Sequence, residues 1–210
     1  MSDMSMCLWV RIPDPEVGHI YTFVSYAIKT NGNEITMENP YKRDGTDTFR
    51  LLATIAKRMY WYVEDVGFED WTFWCFTLNF TGDKYLLYLN GHKIKQESEH
   101  EKSKNVNKRV QGGGILILGQ DQDSLGGGFQ DSQAFQGHLT EFNLWNQFVD
   151  EREIQLLMCG LEYHSAIVSW AYSRFQLFEI QKISDTTRKF SSFSYLIGLS
   201  MFAMKNHDFK

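Results

Sequence analysis

Asn90-Gly91 separates Tyr85-Leu-Leu-Tyr-Leu89 from His92-Lys-Ile94. An Asn-Gly pair supplies the positive φ angles that a tight turn between antiparallel strands demands, so this stretch predicts a β-hairpin. The same rhythm recurs along the chain. Residues 7–12, 20–28, 71–80, 84–89 and 115–118 are short runs rich in aromatic and β-branched side chains, divided by polar or glycine-rich turns. The pattern predicts an all-β, two-sheet antiparallel sandwich. Only one stretch reads as a helix: Asp150 can cap it, Glu153 stands three residues on as in a capping box, and Ile154, Leu157 and Met158 form an apolar stripe that ends near Gly160.

With 210 residues, 43% of them hydrophobic, the chain can bury a core, and its length favours one domain with a tail. The formal charge of -5 leaves no basic surplus to neutralise phosphates, which argues against nucleic acid as a partner. Cys7, Cys75 and Cys159 allow at most one internal disulfide and leave a thiol over; spacing does not decide which two pair. No Cys/His cluster has zinc spacing, and His92, His100, His138 and His164 read as surface or loop residues. Met1 to Met6 carry neither the basic nor the apolar region of a signal peptide. The apolar stretch 193–204 is shorter than the ~20 residues of a membrane-spanning helix and is interrupted by Gly198 and Ser200, so it is read as a tail without membrane insertion. Residues 97–109 mix both charge signs with asparagine and read as a solvated loop or exposed hairpin.

The stretch 119–133 packs Asp121, Asp123 and Asp131 with several amides around a triple glycine. Such a loop offers oxygen atoms and little else, which suits calcium, a cation that takes six to eight oxygens in irregular geometry. An EF-hand fails the match, because Leu125 stands where a third oxygen ligand belongs and Ser132 where a bidentate glutamate belongs. The three aspartates are too clustered for the facing acid/base pair of a glycosidase. No nucleophile elbow, P-loop or dinucleotide fingerprint occurs, so an enzyme is not expected.

The run from Ile117 to Gly137 closely resembles the calcium loop of pentraxins such as C-reactive protein and serum amyloid P component. The resemblance continues through Leu144-Trp145, the helix after Asp150 and Ile167-Val-Ser-Trp170; upstream, Cys7-Leu-Trp9, Ser25-Tyr-Ala27 and Asn33-Glu-Ile35 follow in order. It covers residues 4–178 and is weakest between Met37 and Trp71. The family signature around the second cysteine, His-x-Cys-x-Ser/Thr-Trp-x-Ser/Thr, keeps only Cys75 and Thr77 here, which marks a divergent member.

The resemblance implies a jelly-roll sandwich stapled by a Cys7–Cys75 disulfide, with Cys159 left as the odd thiol. It also implies two neighbouring calcium ions. The first would be held by Asn33, Asp121, the Gln122 carbonyl and Asp123; the second by Asp121, Asp123 and Gln133, with Gln130 where an acidic ligand is usual. Asp121 and Asp123 are then the shared bridge, and Asn33 reaches it from a distant part of the chain. With Gly32 in place of a family aspartate and Gln130 in place of an acid, two formal charges are lost, which weakens calcium and favours retention of the first ion over the second; acids restored at Gly32 and Gln130 are expected to strengthen it. Glu38-Asn-Pro-Tyr41 does not match the family's phosphocholine pocket.

On this reading residues 1–182 are a pentraxin-like domain lacking its first strand or strands and a leader, as a fragment or an alternative start would, and 183–210 are a tail with no family counterpart. The absent strand is expected to leave a sheet edge unpaired. The expected protein is secreted or extracellular, homo-oligomeric, and binds phosphorylated or carbohydrate ligands through calcium as a lectin-like pattern-recognition molecule. The alternative is an interaction domain of a multidomain cell-surface receptor such as an adhesion G-protein-coupled receptor. Asn79-Phe-Thr81, the one Asn-x-Ser/Thr site in the chain, is expected to carry a glycan.

Overall fold

The computed structural model describes residues 1–12, 19–40, 48–65, 70–81, 84–94, 109–161, 165–174, 176–178, 181–183, 194–197 and 201–205. Tyr41, His100, His164 and all but Arg109 of the charged stretch 97–109 lie outside the described residues, as does the greater part of 184–210.

Among the described residues, two antiparallel sheets make up the body of the fold. One contains β1 (Asp3–Arg11), β6 (Thr72–Asn79), β7 (Lys84–Leu89), β8 (His92–Lys93), β10 (Gly137–Trp145), β11 (Val168–Ser169), β13 (Gln181–Ile183) and β14 (Ser194–Ile197). Its order is β13-β14-β10-β1-β6-β7-β8, with β11 beside β10. The other holds β2 (Ile20–Ile28), β3 (Asn31–Pro40), β4 (Thr48–Ile55), β5 (Arg58–Asp65), β9 (Ile115–Leu118), β12 (Gln176–Phe178) and β15 (Met201–Lys205), in the order β12-β15-β9-β2-β3-β4-β5.

The period-two pattern explains why the sheets stack. Met4, Met6, Leu8 and Val10 of β1 and Trp74, Phe76 and Leu78 of β6 enter the same core as Ile35 and Met37 of β3 and Leu116 and Leu118 of β9. Each strand thus turns alternate apolar side chains toward the opposite sheet. Aromatic rings join the two layers, with Phe23 5.7 Å from Trp74 and Tyr60 5.5 Å from Phe76.

The alternate residues Ser5, Cys7 and Trp9 of β1 and Phe73, Cys75 and Thr77 of β6 face outward. Cys7, Phe73 and Cys75 make a second apolar cluster with Trp145, Val149, Ile154 and Leu157, and this cluster seats α1 (Glu151–Met158). The capping box forms: Asp150 Oδ1 accepts from the Glu153 N–H and Glu153 Oε2 from the Asp150 N–H, both at 2.9 Å. Gly160, at φ 77, closes the helix with bonds from its N–H to the Leu157 carbonyl and from the Leu161 N–H to the Leu156 carbonyl. At the predicted hairpin Asn90 and Gly91 take φ of 48 and 76, and the Asn90 side chain also accepts from the Phe73 N–H at 2.9 Å. Cys7 and Cys75 are opposed in the β1–β6 ladder and form the disulfide, while Cys159 is free and exposed.

The C-terminal stretch that the sequence alone does not place contributes to both sheets. β14 pairs with β10 and β15 with β9. β1 is not an edge: it lies between β10 and β6. Among the described residues no helix is long and apolar enough to cross a membrane.

Candidate metal centre

Gly119, at φ 86, ends β9 and anchors the following loop at both ends. Its N–H bonds the Phe23 carbonyl at 3.0 Å, and its own carbonyl accepts from the Phe135 N–H at 2.8 Å. Within the loop, Ser124 and Gly127 exchange both backbone bonds at 3.1 Å, and Gly126, at φ 70, lets the chain reverse there. Gln122 fastens the loop to the sheet. Its fully buried amide donates to Ser25 Oγ (2.9 Å), the Ser25 carbonyl (3.2 Å) and the Ile115 carbonyl (3.0 Å), while its Oε1 accepts from the Gly126 N–H (2.9 Å). With the side chain so used, a role for Gln122 toward a cation falls to its backbone carbonyl.

Asp121 is buried, with 2% of its surface exposed. Oδ2 accepts from Gln133 Nε2 at 3.2 Å, whereas Oδ1 is buried without a hydrogen-bond partner among the described residues, as is Gln133 Oε1. Burial pushes the Asp121 carboxyl above its ordinary range; the nearby Asp123 charge adds to this, and hydrogen bonds from the Gln122 N–H and the Gln133 amide oppose it. Asp123 is exposed, and its Oδ2 accepts from Gln130 Nε2 at 2.9 Å. Gln130 precedes the 3-10 turn Asp131–Gln133, which carries Asp131 exposed at the surface. The loop therefore brings Asp121, Asp123, Gln130 and Gln133 into one hydrogen-bonded group.

Asn33 comes from elsewhere. Ile28 pairs with Asn31 and Tyr26 with Ile35, so residues 32–34 form a bulge that leaves the β2–β3 ladder and exposes Asn33. The bulge meets the loop at Gly32. A Cβ built there would lie 2.5 Å from the Asp123 carbonyl oxygen and 3.2 Å from that of Gln122, so two backbone oxygens face a glycine that only a missing side chain permits.

One residue of this site went unread in the sequence. Glu38, opposite Thr22 and Leu52 in the ladders of β3, has its carboxyl raised to about 7 by burial and then by the charges of Asp121 and Asp123. The available signal was the alternation of β3, in which Ile35 and Met37 turn to the core, leaving Thr36 and Glu38 on the other face.

The donor set fits a hard cation. It is made of oxygen, and two of its buried acceptors, Asp121 Oδ1 and Gln133 Oε1, lack partners among the described residues. Those residues hold no group of three or more His, Cys, Asp or Glu placed to bind a metal, so amides and carbonyls would have to complete the shell around Asp121 and Asp123.

The model of the Pentaxin family matches residues 1–185. The chain belongs to the Pentaxin family. Among curated pentraxins it is similar to neuronal pentraxin-2 of Cavia porcellus, 28% identical over 182 residues that cover 83% of this chain and 38% of that protein. Pentraxin-4 of Homo sapiens is 25% identical over 79% of this chain and 33% of its own length. The chain thus spans under two fifths of these curated relatives. Among solved structures, a native heptameric SAP-like pentraxin from Limulus polyphemus superposes with a TM-score of 0.69 at 16% identity, covering 94% of this chain and 83% of that one. This likeness supports the jelly-roll form of the pentraxin sandwich. A putative carbohydrate binding protein from Bacteroides ovatus follows at a TM-score of 0.57, with 11% identity over 98% of this chain and 54% of that one.

For this pentraxin, the packing at Gly32 corrects one expectation. An aspartate there cannot simply restore a ligand, because its Cβ would collide with backbone at Asp123. Gly32→Asp and Gly32→Ala are both expected to destabilise the domain by about 1–3 kcal/mol through overpacking. Urea unfolding of the two variants checks this; wild-type midpoints for both would show that the bulge yields freely. Asn79 ends β6, half-buried opposite Asp3 and Lys84, with Phe80 buried and Thr81 exposed after it.

Proposed function

We propose that this pentraxin domain binds calcium through the 119–133 loop and uses the ion to hold oxygen-rich ligands, phosphate groups or vicinal hydroxyls of carbohydrate, outside the cell and without catalysis. The observation that carries this reading is the buried, half-satisfied carboxylate of Asp121 beside the unpartnered Oε1 of Gln133. A buried acceptor without a donor is costly, and a cation coordinated there would satisfy it. Asp123, Gln130, the Gln122 carbonyl and Asn33 are proposed to complete the set. The site holds fewer formal charges than the two-ion arrangement implied by the family, so affinity should fall in the weak extracellular range, about 10⁻⁴–10⁻³ M.

Calorimetric titration of the oxidised full chain with calcium tests the reading. Wild type should bind, and Asp121→Asn should lose binding. At a hundredfold excess over the dissociation constant, calcium should stabilise wild type by about 2.7 kcal/mol. No heat together with an unchanged melting temperature at a hundredfold excess of calcium over that range would sink it.

A homo-oligomer fits the same reading, since the similar Limulus pentraxin is heptameric. So does a glycan on Asn79 in a secreted form, with residues 1–182 as the binding module and β14 and β15 completing its sheets. The second reading, an interaction module within a longer cell-surface protein, is favoured by the much greater length of the curated relatives. Partner capture that persists in chelator would favour this reading over the first.

A further inference from the structure

Glu34, the last residue of the bulge, is fully buried, at 0% exposure. An interior carboxylate persists only where hydrogen bonds replace its lost water. Both its oxygens are bonded: Oε1 accepts from the Gln111 N–H at 2.7 Å and Oε2 from Asn31 Nδ2 at 2.8 Å. The Asn31 amide continues the chain, its Oδ1 accepting from the Asn33 N–H at 3.3 Å. Residues 32–34 have no place in the β2–β3 ladder, so these side-chain bonds supply what the ladder does not.

The other arm of Glu34 acts on the second half of the site. Gln111 opens the short segment that reaches β9 through Gly114, whose N–H donates to Tyr26 Oη at 2.9 Å, and β9 runs directly into Gly119. One carboxylate therefore grips the bulge that presents Gly32 and Asn33 and also the lead-in to the loop that presents Asp121 and Asp123. The two halves meet where Gly32 lies against the Asp123 carbonyl.

We infer that Glu34 is a positioning residue of the cation site, holding the Asn33 bulge and the 119–133 loop at the separation a shared ion requires. It touches no ion itself. This inference rests on the calcium reading above, and its tests are chosen to separate the two.

Glu34→Gln keeps the shape but puts an amide donor where one of the two N–H groups needs an acceptor. Loss of such a supporting bond weakens metal binding by about tenfold or more. The variant should bind calcium at least about tenfold more weakly than wild type at a temperature where circular dichroism shows both folded. Ile154→Ala, on the buried face of α1 and away from the site, is the control for lost stability alone and should leave affinity unchanged. A second readout needs no metal: in chelator, hydrogen exchange of residues 31–34 and of 111–128 should accelerate together in Glu34→Gln and not in Ile154→Ala. If Glu34→Gln does not fold, Asn31→Ala removes one arm only and should show the same two effects more weakly. Wild-type affinity and exchange in a folded Glu34→Gln or Asn31→Ala would overturn the inference. Absence of calcium binding by wild type would overturn the calcium reading instead, and the exchange data would still judge Glu34.

Discussion

Replacing Cys7 and Cys75 together by alanine is expected to lower the unfolding free energy by about 4 kcal/mol, the largest effect of any change considered, because the bridge closes a long loop in the unfolded chain. The residues are 68 apart in sequence, and their Cα atoms are 4.1 Å apart across the β1–β6 ladder. In the chain-entropy treatment, closing a loop of that length removes conformational entropy from the unfolded chain and so raises its free energy relative to the fold. The sulfurs also belong to the outer apolar cluster under α1, with Trp145, Ile154 and Leu157, so alanine leaves space there as well. The comparison is the denaturation midpoint of the oxidised protein against Cys7→Ala/Cys75→Ala, and reductant should bring wild type toward the double variant. Cys159→Ser, at an exposed helix end, should change the unfolding free energy by no more than about 0.5 kcal/mol. A loss below about 1 kcal/mol in the double variant would contradict the assignment of this bridge as the main staple.

Strand after strand, legibility followed local chemistry. The hairpin at Asn90-Gly91 and the helix from Asp150 were readable because their turn and cap residues act on their own neighbours. The β4–β5 hairpin was not. Its turn is Ala56-Lys57, with φ of 49 and 67, and neither residue advertises a positive φ. The Ala56 N–H bonds the Glu34 carbonyl at 2.8 Å, so a distant strand helps to set that turn. β10 hid for another reason. Glu141 takes φ 52, and Leu139 and Phe142, three apart, both reach the core, which breaks the period of two. β14 and β15 pair with β10 and β9, strands far upstream, and nothing local announces such pairing.

The site divides in the same way. Asp121, Asp123, Gln130 and Gln133 lie on one short loop, so their density was visible as oxygen-rich sequence. What supports them was not, because it comes from the sheet. Gln122 spends its side chain on Ser25 and the β9 backbone, and Glu34 reaches Gln111 across 77 residues. The closeness of Gly32 to Asp123 reverses an expectation drawn from charge alone: the position lacks room before it lacks an acid. Beyond the alternation of β3, Glu38 has no local signal either, since the carboxylates that act on it, Asp121 and Asp123, come from a distant part of the chain.

That residue makes the second large prediction. Its carboxyl has an ordinary value of 4.5 and stands at about 7 in the fold, chiefly through burial and then through Asp121 and Asp123. The folded state therefore holds a proton that the unfolded chain has already released between those values. Stability from this group is complete below 4.5, falls as pH rises, and is lost above about 7. The gap corresponds to roughly 3 kcal/mol at full strength, and partial solvent access reduces this to about 2 kcal/mol. Glu38→Gln, which removes the charge and keeps the shape, should match wild type near pH 4 in chelator and exceed it by about 2 kcal/mol at pH 8, or about 4–8 °C in melting temperature. The difference between the two unfolding curves reports Glu38 together with its coupling to Asp121 and Asp123. Parallel curves across the whole range would mean that Glu38 is not held against the loop. Calcium gives the same result a second form. By neutralising Asp121 and Asp123 it removes the repulsion that helps to keep the Glu38 proton in place, while burial continues to favour that proton. Calcium binding near neutral pH should therefore release a fraction of a proton in wild type and less in Glu38→Gln, measurable as a dependence of the binding heat on the ionisation enthalpy of the buffer.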